Sequence, residues 1–141
     1  MIADLLRILD GTAAALRANM NQLAEALKER TMRFAVRIVR FCRTLPDTWE
    51  GRHVSDQLFR SGTSVAANYH ATCRARSRRD FVSKMGIVVE ESDESAFWLK
   101  FAWRAEIADG PELADLLSEA GELVAIFTAS AKTAAANPQS Q

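Results

Sequence analysis

The sequence predicts an all-α protein: an antiparallel up-down-up-down four-helix bundle, with an extra N-terminal helix or arm left open. Its 141 residues suit a single domain, and 48% of them are apolar, which is enough for a core. Glycine and proline are scarce, at 6 and 3 residues, so the chain has few turn signals. Apolar residues recur at helical spacing in four long segments, and the short connections between them make successive helices antiparallel.

The N-terminal extension, residues 1–19, has apolar residues at helical spacing, although Gly11 weakens the pattern. The extension is either an extra helix or a loosely held arm. Because a clean helical pattern begins just after Met20, that methionine is a candidate alternative translation start. We therefore expect the bundle to comprise residues 20–135, followed by a frayed tail at 136–141.

The first bundle helix is expected from about Asn21 to Thr44. Pro46 ends it, because the residue before a proline is pushed out of the helical region. In the loop that follows, Trp49 is expected to fold back over the end of the bundle. The inner stripe of the helix has the spacing i, i+3, i+4 and comprises Leu23, Leu27, Phe34, Ile38, Phe41 and Leu45.

The second helix is expected from about residues 50–53 to Arg76. Gly62 and Thr63 lower helix propensity near its middle, so a break is one alternative. We expect a continuous helix instead, because Leu58 and Val65 keep the apolar phase one heptad apart. The small side chains around Gly62 then permit a close approach by a neighbouring helix.

The third and fourth helices are separated by an Asp-Gly-Pro turn. Ser77 is expected to cap the third helix, with Asp80 three residues later, and the helix to run to about Ala108. Gly110 is expected as the residue that follows the third helix, and Pro111 in the first turn of the fourth.

The zero net charge hides a strong asymmetry along the chain. Residues 28–84 carry 13 basic and 5 acidic side chains, whereas residues 85–123 carry 2 basic and 10 acidic ones. Either oppositely charged helices lie side by side, or the basic half binds an anionic partner such as nucleic acid.

The remaining bulk features indicate a cytoplasmic protein without a membrane span. Cys42 and Cys73 lack CxxC spacing and are expected to be free thiols in a reducing compartment. No run of about 18 apolar residues occurs, and the N-terminus lacks the order of a signal peptide.

Catalytic, cofactor and metal sites are not expected. Glu50 and His53 have the ExxH spacing of di-iron bundles, but such sites need a second motif and two further carboxylates. The hydroxyls near Gly62 have no adjacent base, and no P-loop or GxGxxG occurs. The acidic run of the third helix is instead predicted to contribute to a polar layer between helices two and three, formed by Asn68, Thr72, Glu91 and Ser92, with the hydroxyls of residues 61–64 as further partners.

A dense arginine cluster between the second and third helices is the functional candidate. We call Arg74, Arg76, Arg78 and Arg79 the basic corner, and Lys84 joins it one turn later. A stripe formed by Arg33, Arg37 and Arg40 adds to it on the first helix. These side chains either bind nucleic-acid phosphates without base readout or pair with the acidic stretch of a neighbouring subunit.

Three segments of the chain resemble a known family: FAVRIVRFCRTLP, QLFRSGTSVAANYHATCRARSRRDFVSKMGIVVEESDESAFWL and LLSEAGELVAIFTASAKTA. They are similar to the four-helix bundle proteins of intervening sequences in bacterial 23S ribosomal RNA genes, over about residues 20–132. RSGTSVAAN is among the most specific parts. Ala71 departs from the family pattern, in which a glutamate often stands at this position.

The resemblance implies a ring-like homopentamer and no enzymatic activity. A related branch, the accessory variability protein of diversity-generating retroelements, binds nucleic acid and a reverse transcriptase, so RNA or DNA and a reverse transcriptase are the partners implied. We therefore predict a non-catalytic oligomeric bundle that acts on nucleic acid through the basic corner. The alternative is a structural scaffold or protein-interaction module in which the arginines make subunit contacts.

Overall fold

The protein is an all-α four-helix bundle. The structure is a computed structural model that describes residues 1–137. Within them α1 spans Ile2–Cys42, α2 Trp49–Thr72, α3 Arg78–Arg104 and α4 Pro111–Ala136, and no strand occurs. Packing is extensive between helices adjacent in sequence and sparse between α1 and α4. The expected tail begins at Ala136, which is the last residue of α4, and residues 138–141 lie outside the described part.

The core lies along the common axis of the four helices, where the predicted apolar stripes meet. Every helix contributes side chains that are almost completely buried, as the heptad-like spacing requires. The largest of them are Phe34, Ile38, Val54, Leu58, Val65, Met85, Val88, Leu99, Leu116, Leu123 and Phe127.

The first helix is much longer than expected, because it begins at Ile2 and continues through the extension without a break. The extension is thus neither a separate helix nor a loose segment but the N-terminal half of α1. Leu27 is the first buried residue of α1, and Leu23, predicted to lie in the core, is 60% exposed. We call residues 2–23 the arm.

The turn between α1 and α2 differs from the expectation at Trp49. Thr48 caps α2 by accepting a hydrogen bond from the backbone N–H of Gly51 at 3.1 Å. Trp49 is therefore the first residue of the helix, ahead of the first buried position at Gly51, and its side chain is 78% exposed. The prediction that it covers the end of the bundle is wrong.

The second helix is continuous through Gly62, as predicted. A Cβ placed at Gly62 would lie 2.8 Å from Cγ2 of Ile38 on α1. Ser61, the residue before Gly62, contacts α3, because its Oγ accepts a hydrogen bond from Oγ of Ser95 at 3.0 Å. The small-residue run therefore permits close packing on two sides, against α1 and against α3.

The third helix ends four residues earlier than predicted, in a Schellman motif. The N–H of Ile107 donates to the carbonyl of Ala102 at 2.8 Å, and that of Glu106 to Trp103 at 3.1 Å. The left-handed residue of the motif is Glu106, with φ 58°, and not Gly110 as predicted. Gly110 instead precedes α4 as its N-cap, and Pro111 occupies the first turn of α4 as predicted.

Candidate nucleic-acid interface

The basic corner is built by the short connection between α2 and α3. Two backbone hydrogen bonds turn the chain after α2, from Arg74 to Ala71 and from Ala75 to Thr72. Ser77 then starts α3, because its hydroxyl accepts a hydrogen bond from the N–H of Asp80 at 3.1 Å. Four arginines within six residues are thereby held at one end of the bundle.

Asp80 neutralises part of this corner. Its carboxylate forms an ion pair with Lys84 at 2.7 Å and accepts a hydrogen bond from the backbone N–H of Arg76. The hydrogen bond from Lys84 is the main reason why the pKa of Asp80 is lowered. Lys84 was predicted to join the cluster, but its charge is paired within α3.

The arginines of the corner itself keep their charges unpaired. Arg74, Arg76 and Arg79 are exposed, and within residues 1–137 no carboxylate lies within ion-pair distance of them. Arg78 is half-buried, and its Nη1 is buried without a hydrogen-bond partner among the described residues. Three free guanidinium groups therefore face solvent at this end of the molecule.

The predicted arginine stripe on α1 does not form one free surface. Arg37 is bound by both oxygens of Glu112 on α4, at 3.1 and 3.2 Å. Arg33 lies 3.8 Å from Glu29, and both side chains are 69% exposed. Arg40 is exposed and lines a groove between α1 and α2. Of the three, Arg37 serves helix packing and the other two remain at the surface.

Two ion-pair clusters hold α1 against α4 and α2 against α3, in line with the alternative that oppositely charged helices lie side by side, although the individual pairs were not predicted. Arg30 on α1 binds Glu119 at 2.7 Å and Glu122 at 2.6 Å on α4. The hydrogen bond from Arg30 is the main cause of the lowered pKa of Glu119. Arg30 and Arg37 are one heptad apart, as are their partners on α4, and that spacing is the signal that could have revealed the pairing.

The second cluster uses part of the acidic run of α3. Arg60 on α2 binds Glu91 at 3.2 Å and also Glu94. Two of the four carboxylates in the run are thus paired within the chain. Glu90 and Asp93 are exposed and form no ion pair within residues 1–137.

The polar layer predicted between α2 and α3 forms in part, because Glu91 and Ser61 reach the other helix and the remaining predicted side chains do not. Asn68 donates to the carbonyl of Ser64, Thr72 to Asn68 and Ser92 to Val88, so these three bond within their own helices. Of the predicted set, Glu91 reaches the other helix, through Arg60. The Ser61–Ser95 hydrogen bond supplies the buried polar contact between the helices. Hydroxyls and amides on helices often bond back to the preceding turn, which explains the difference.

A groove of about 590 Å³ lies between α1 and α2 and was not predicted. Its walls are mainly apolar and it carries basic groups at its edge. The lining residues are Met32, Ala35, Val36, Val39, Arg40, Arg43, Thr63, Ala66, Ala67 and His70.

A second exposed apolar surface lies on α3, which we call the aromatic surface: Phe97, Trp98 and Phe101. The ring of Trp98 stands edge-on to Phe97 at 5.0 Å and to Phe101 at 5.6 Å, and Phe97 is 57% exposed. His53, the histidine of the ExxH spacing, packs edge-on against Trp98 at 5.5 Å. Among residues 1–137 no group of three or more potential metal ligands comes together.

Cys42 and Cys73 are both free thiols, the first buried and the second half-buried. Burial is the main cause of the raised pKa of Cys42. No helix in the described part of the chain is long and apolar enough to cross a membrane.

Comparisons with known proteins match both the sequence and the fold. The model of the 23S rRNA-intervening sequence protein family matches residues 25–129. The crystal structure of a protein with unknown function from the S23 ribosomal protein family of Bacteroides thetaiotaomicron is similar, with a TM-score of 0.71 and 29% sequence identity. The similarity covers 77% of this chain and 97% of that one. No curated protein matches the chain. Because the family model spans most of the bundle, the chain belongs to the 23S rRNA-intervening sequence protein family.

Proposed function

We propose that the protein is a non-catalytic, self-associating module that binds the phosphate backbone of nucleic acid through the basic corner. The observation that carries the proposal is the contrast between the arginines of the bundle. Arg30, Arg37 and Arg60 are occupied by carboxylates of neighbouring helices. Arg74, Arg76 and Arg79 of the corner are exposed and have no such partners in the part of the chain that the structure describes.

Exposed guanidinium groups of this kind suit phosphates better than bases. Arginine binds phosphate oxygens with two donors, and such contacts are independent of base sequence. No single-strand-reading aromatic motif accompanies the corner. Structured RNA is the first ligand to test, because the family takes its name from intervening sequences of 23S rRNA. Such a ligand is found in the cytoplasm, the location that the sequence predicts.

Two apolar surfaces support self-association. The groove lies between α1 and α2, whereas the aromatic surface lies on α3, so the two surfaces are on different helices of the same chain. If the aromatic surface of one copy fills the groove of the next, the interface is heterologous, which is the kind that forms a ring when the rotation between copies closes. Arg40 and Arg43 at the groove and the exposed Asp93 beside the aromatic surface add complementary charge. We propose five copies, in line with the resemblance.

A scaffold without nucleic acid is the second candidate function. Glu90 and Asp93 form no ion pair within residues 1–137 and are exposed, so they are suitable partners for the basic corner of a neighbouring copy. Against this, the other two carboxylates of the acidic run already bind Arg60. The acidic run of α3 therefore supplies two carboxylates for three exposed arginines of the corner, which makes it an incomplete partner and favours the nucleic-acid proposal.

Arg76→Glu distinguishes the two functions. We expect it to weaken binding of a labelled structured RNA about tenfold, because it removes a phosphate contact and adds a repelling charge. Fluorescence anisotropy measures the affinity, and sedimentation the mass of the assembly. The matched control is Arg104→Glu, the same exposed residue type at the other end of α3.

The proposed nucleic-acid function requires that Arg76→Glu lowers RNA affinity while the assembly mass is unchanged and Arg104→Glu has little effect. Dissociation of the assembly by Arg76→Glu, together with no RNA binding by the unmodified protein, would show that the arginines make subunit contacts.

A further inference from the structure

The arm has a pattern of apolar residues that are exposed and do not pack in the core of the bundle. It is helical over its whole length, yet no hydrogen bond or ion pair joins it to another helix in the described part of the chain. It also lies outside residues 25–129, the stretch matched by the family model. Whatever the arm does is therefore additional to the function proposed for the bundle.

The apolar residues of the arm follow a heptad repeat. With Ile2 placed at position a, the a positions continue at Leu9, Leu16 and Leu23, and the first d position is Leu5. The three heptads of the arm make a helix of roughly 30 Å at about 1.5 Å per residue. This spacing is that of a coiled-coil seam, and it differs from the stripe that begins at Leu27 and faces the bundle core.

The charges of the arm confirm which side is the seam. Its four charged side chains, Asp4, Arg7, Asp10 and Arg17, fall at positions b, c and f, on the side opposite the seam. Positions e and g are mostly apolar as well: they hold Leu6, Ile8, Met20 and two alanines, and one polar residue, Gln22. The apolar face is therefore wider than the narrow a/d stripe of a two-stranded coiled coil, and it suits several helices around a common axis.

The exposed apolar area is large enough to form a stable interface. The eight leucine, isoleucine and methionine side chains between Ile2 and Leu23 are each between 56% and 76% exposed. At about 100 Å² each they present on the order of 800 Å², which equals the area that one partner buries in a typical stable complex. Burial of this face would add to the stability of the arm, because most helical stability in proteins comes from packing of an apolar face.

Other copies of the arm fit this face better than a membrane surface does. The polar side of the arm has two arginines and two aspartates, and the arm contains no aromatic residue. Helices that lie on membranes instead have a basic polar side and aromatic residues on the apolar side.

The two polar residues in the seam favour parallel, in-register pairing. Thr12 and Asn19 occupy d positions, and the Thr12 hydroxyl already bonds to the carbonyl of Ile8 at 2.9 Å. In a parallel arrangement each Asn19 meets the Asn19 of another copy and can hydrogen-bond to it. In an antiparallel arrangement the amide would face apolar side chains without a partner.

We propose that the arm is a coiled-coil segment that pairs in parallel and in register with the arms of other copies of this chain. The interface is separate from the groove and the aromatic surface of the bundle. The pairing of the arms can therefore be tested separately from the way in which the bundles associate.

Site-specific cross-linking tests the proposal on the full chain. Leu9→Cys places a thiol in the seam, and Ala14→Cys places one at position f on the outer side; both are made in a Cys73→Ser background, because Cys42 is buried. We expect mild oxidation to give about tenfold more interchain disulfide from Leu9→Cys than from Ala14→Cys, since only seam residues of parallel copies bring their Cβ atoms within disulfide reach. Equal yields from the two positions, or none from either, would overturn the proposal.

A second pair of variants tests the same interface without relying on oxidation. Leu9→Glu with Leu16→Glu puts two charges in the seam, whereas Ala14→Glu with Ala18→Glu puts two on the outer side. We expect only the seam variant to speed trypsin cleavage after Arg7 and Arg17, by about tenfold or more, as the arm loses its partners and unfolds. Unchanged protection in the seam variant contradicts the proposal, and so does binding of the unmodified arm to neutral phosphatidylcholine vesicles in place of self-association.

Discussion

Replacement of Phe127 by alanine is expected to lower the free energy of unfolding by about 3–5 kcal/mol, because the substitution leaves a large cavity in a close-packed core. Phe127 is completely buried on α4, and its ring packs against Tyr69 of α2 with 5.0 Å between the ring centroids. The side chain thus joins two helices that are not adjacent in sequence. Urea unfolding followed by circular dichroism at 222 nm measures the loss.

The matched control is Phe97→Ala, the same change at an exposed position of α3. We expect it to change the stability of the folded chain by no more than about 1 kcal/mol. Both variants are measured over a range of protein concentrations, because a loss caused by subunit contacts depends on concentration and a loss in the chain's own core does not. If Phe127→Ala were no more destabilising than Phe97→Ala, α4 would not close the core as described.

Gly62→Ala is expected to destabilise the protein by about 1–2 kcal/mol. In most helix interiors the same change is stabilising by about 1 kcal/mol, because alanine has the higher helix propensity. At Gly62 the new Cβ would lie between 2.8 and 3.0 Å from three side-chain atoms of Ile38. Ile38 is branched at Cβ and completely buried, so it cannot move aside without disturbing the contact between α1 and α2.

Gly86→Ala on α3 provides the comparison, since a Cβ there has no neighbouring atom within 4 Å. We expect this change to raise the free energy of unfolding by about 0.5–1 kcal/mol. The two glycine variants should therefore shift the urea midpoint in opposite directions. A stabilising effect of Gly62→Ala would mean that α1 and α2 are further apart than the structure places them.

The fold could be predicted from the sequence because its determinants are local. The apolar stripes, the Ser77 cap, Pro111 at the start of α4 and the small-residue run around Gly62 each depend on residues a few positions apart. Two local predictions were wrong because hydrogen bonds at a helix end placed the residue differently. Trp49 is exposed because the Thr48 cap makes it the first residue of α2, one residue before the earliest start that the sequence predicted. The end of α3 is set by a Schellman motif at Glu106, where a glycine would be the usual residue.

The part of the candidate site that depends on residues close together in the sequence could also be predicted. The basic corner is contiguous in sequence, so its arginines necessarily lie together at one end of the bundle. Arg37 was predicted to be free but is paired with a carboxylate on α4, 75 residues away in the sequence. No local pattern contains that partner. Asn68, Thr72 and Ser92, predicted to form the polar layer, bond back to their own helices. The predicted hydroxyl of Ser61 does bond across to α3, and its partner Ser95 was not predicted. The groove between α1 and α2 likewise exists only once two helices are packed.

The proposal that the basic corner binds nucleic-acid phosphates is tested most directly by the salt dependence of binding. The dissociation constant of the unmodified protein for a structured RNA is measured by fluorescence anisotropy at several monovalent salt concentrations. With three free arginines per subunit, the logarithm of the association constant should fall linearly with the logarithm of the salt concentration, with a slope of about −2 or steeper. In Arg76→Glu the slope should become shallower by about one, because one phosphate contact is lost. An affinity that does not change with salt, or a slope that Arg76→Glu leaves unchanged, would contradict the assignment of the corner as a phosphate-binding surface.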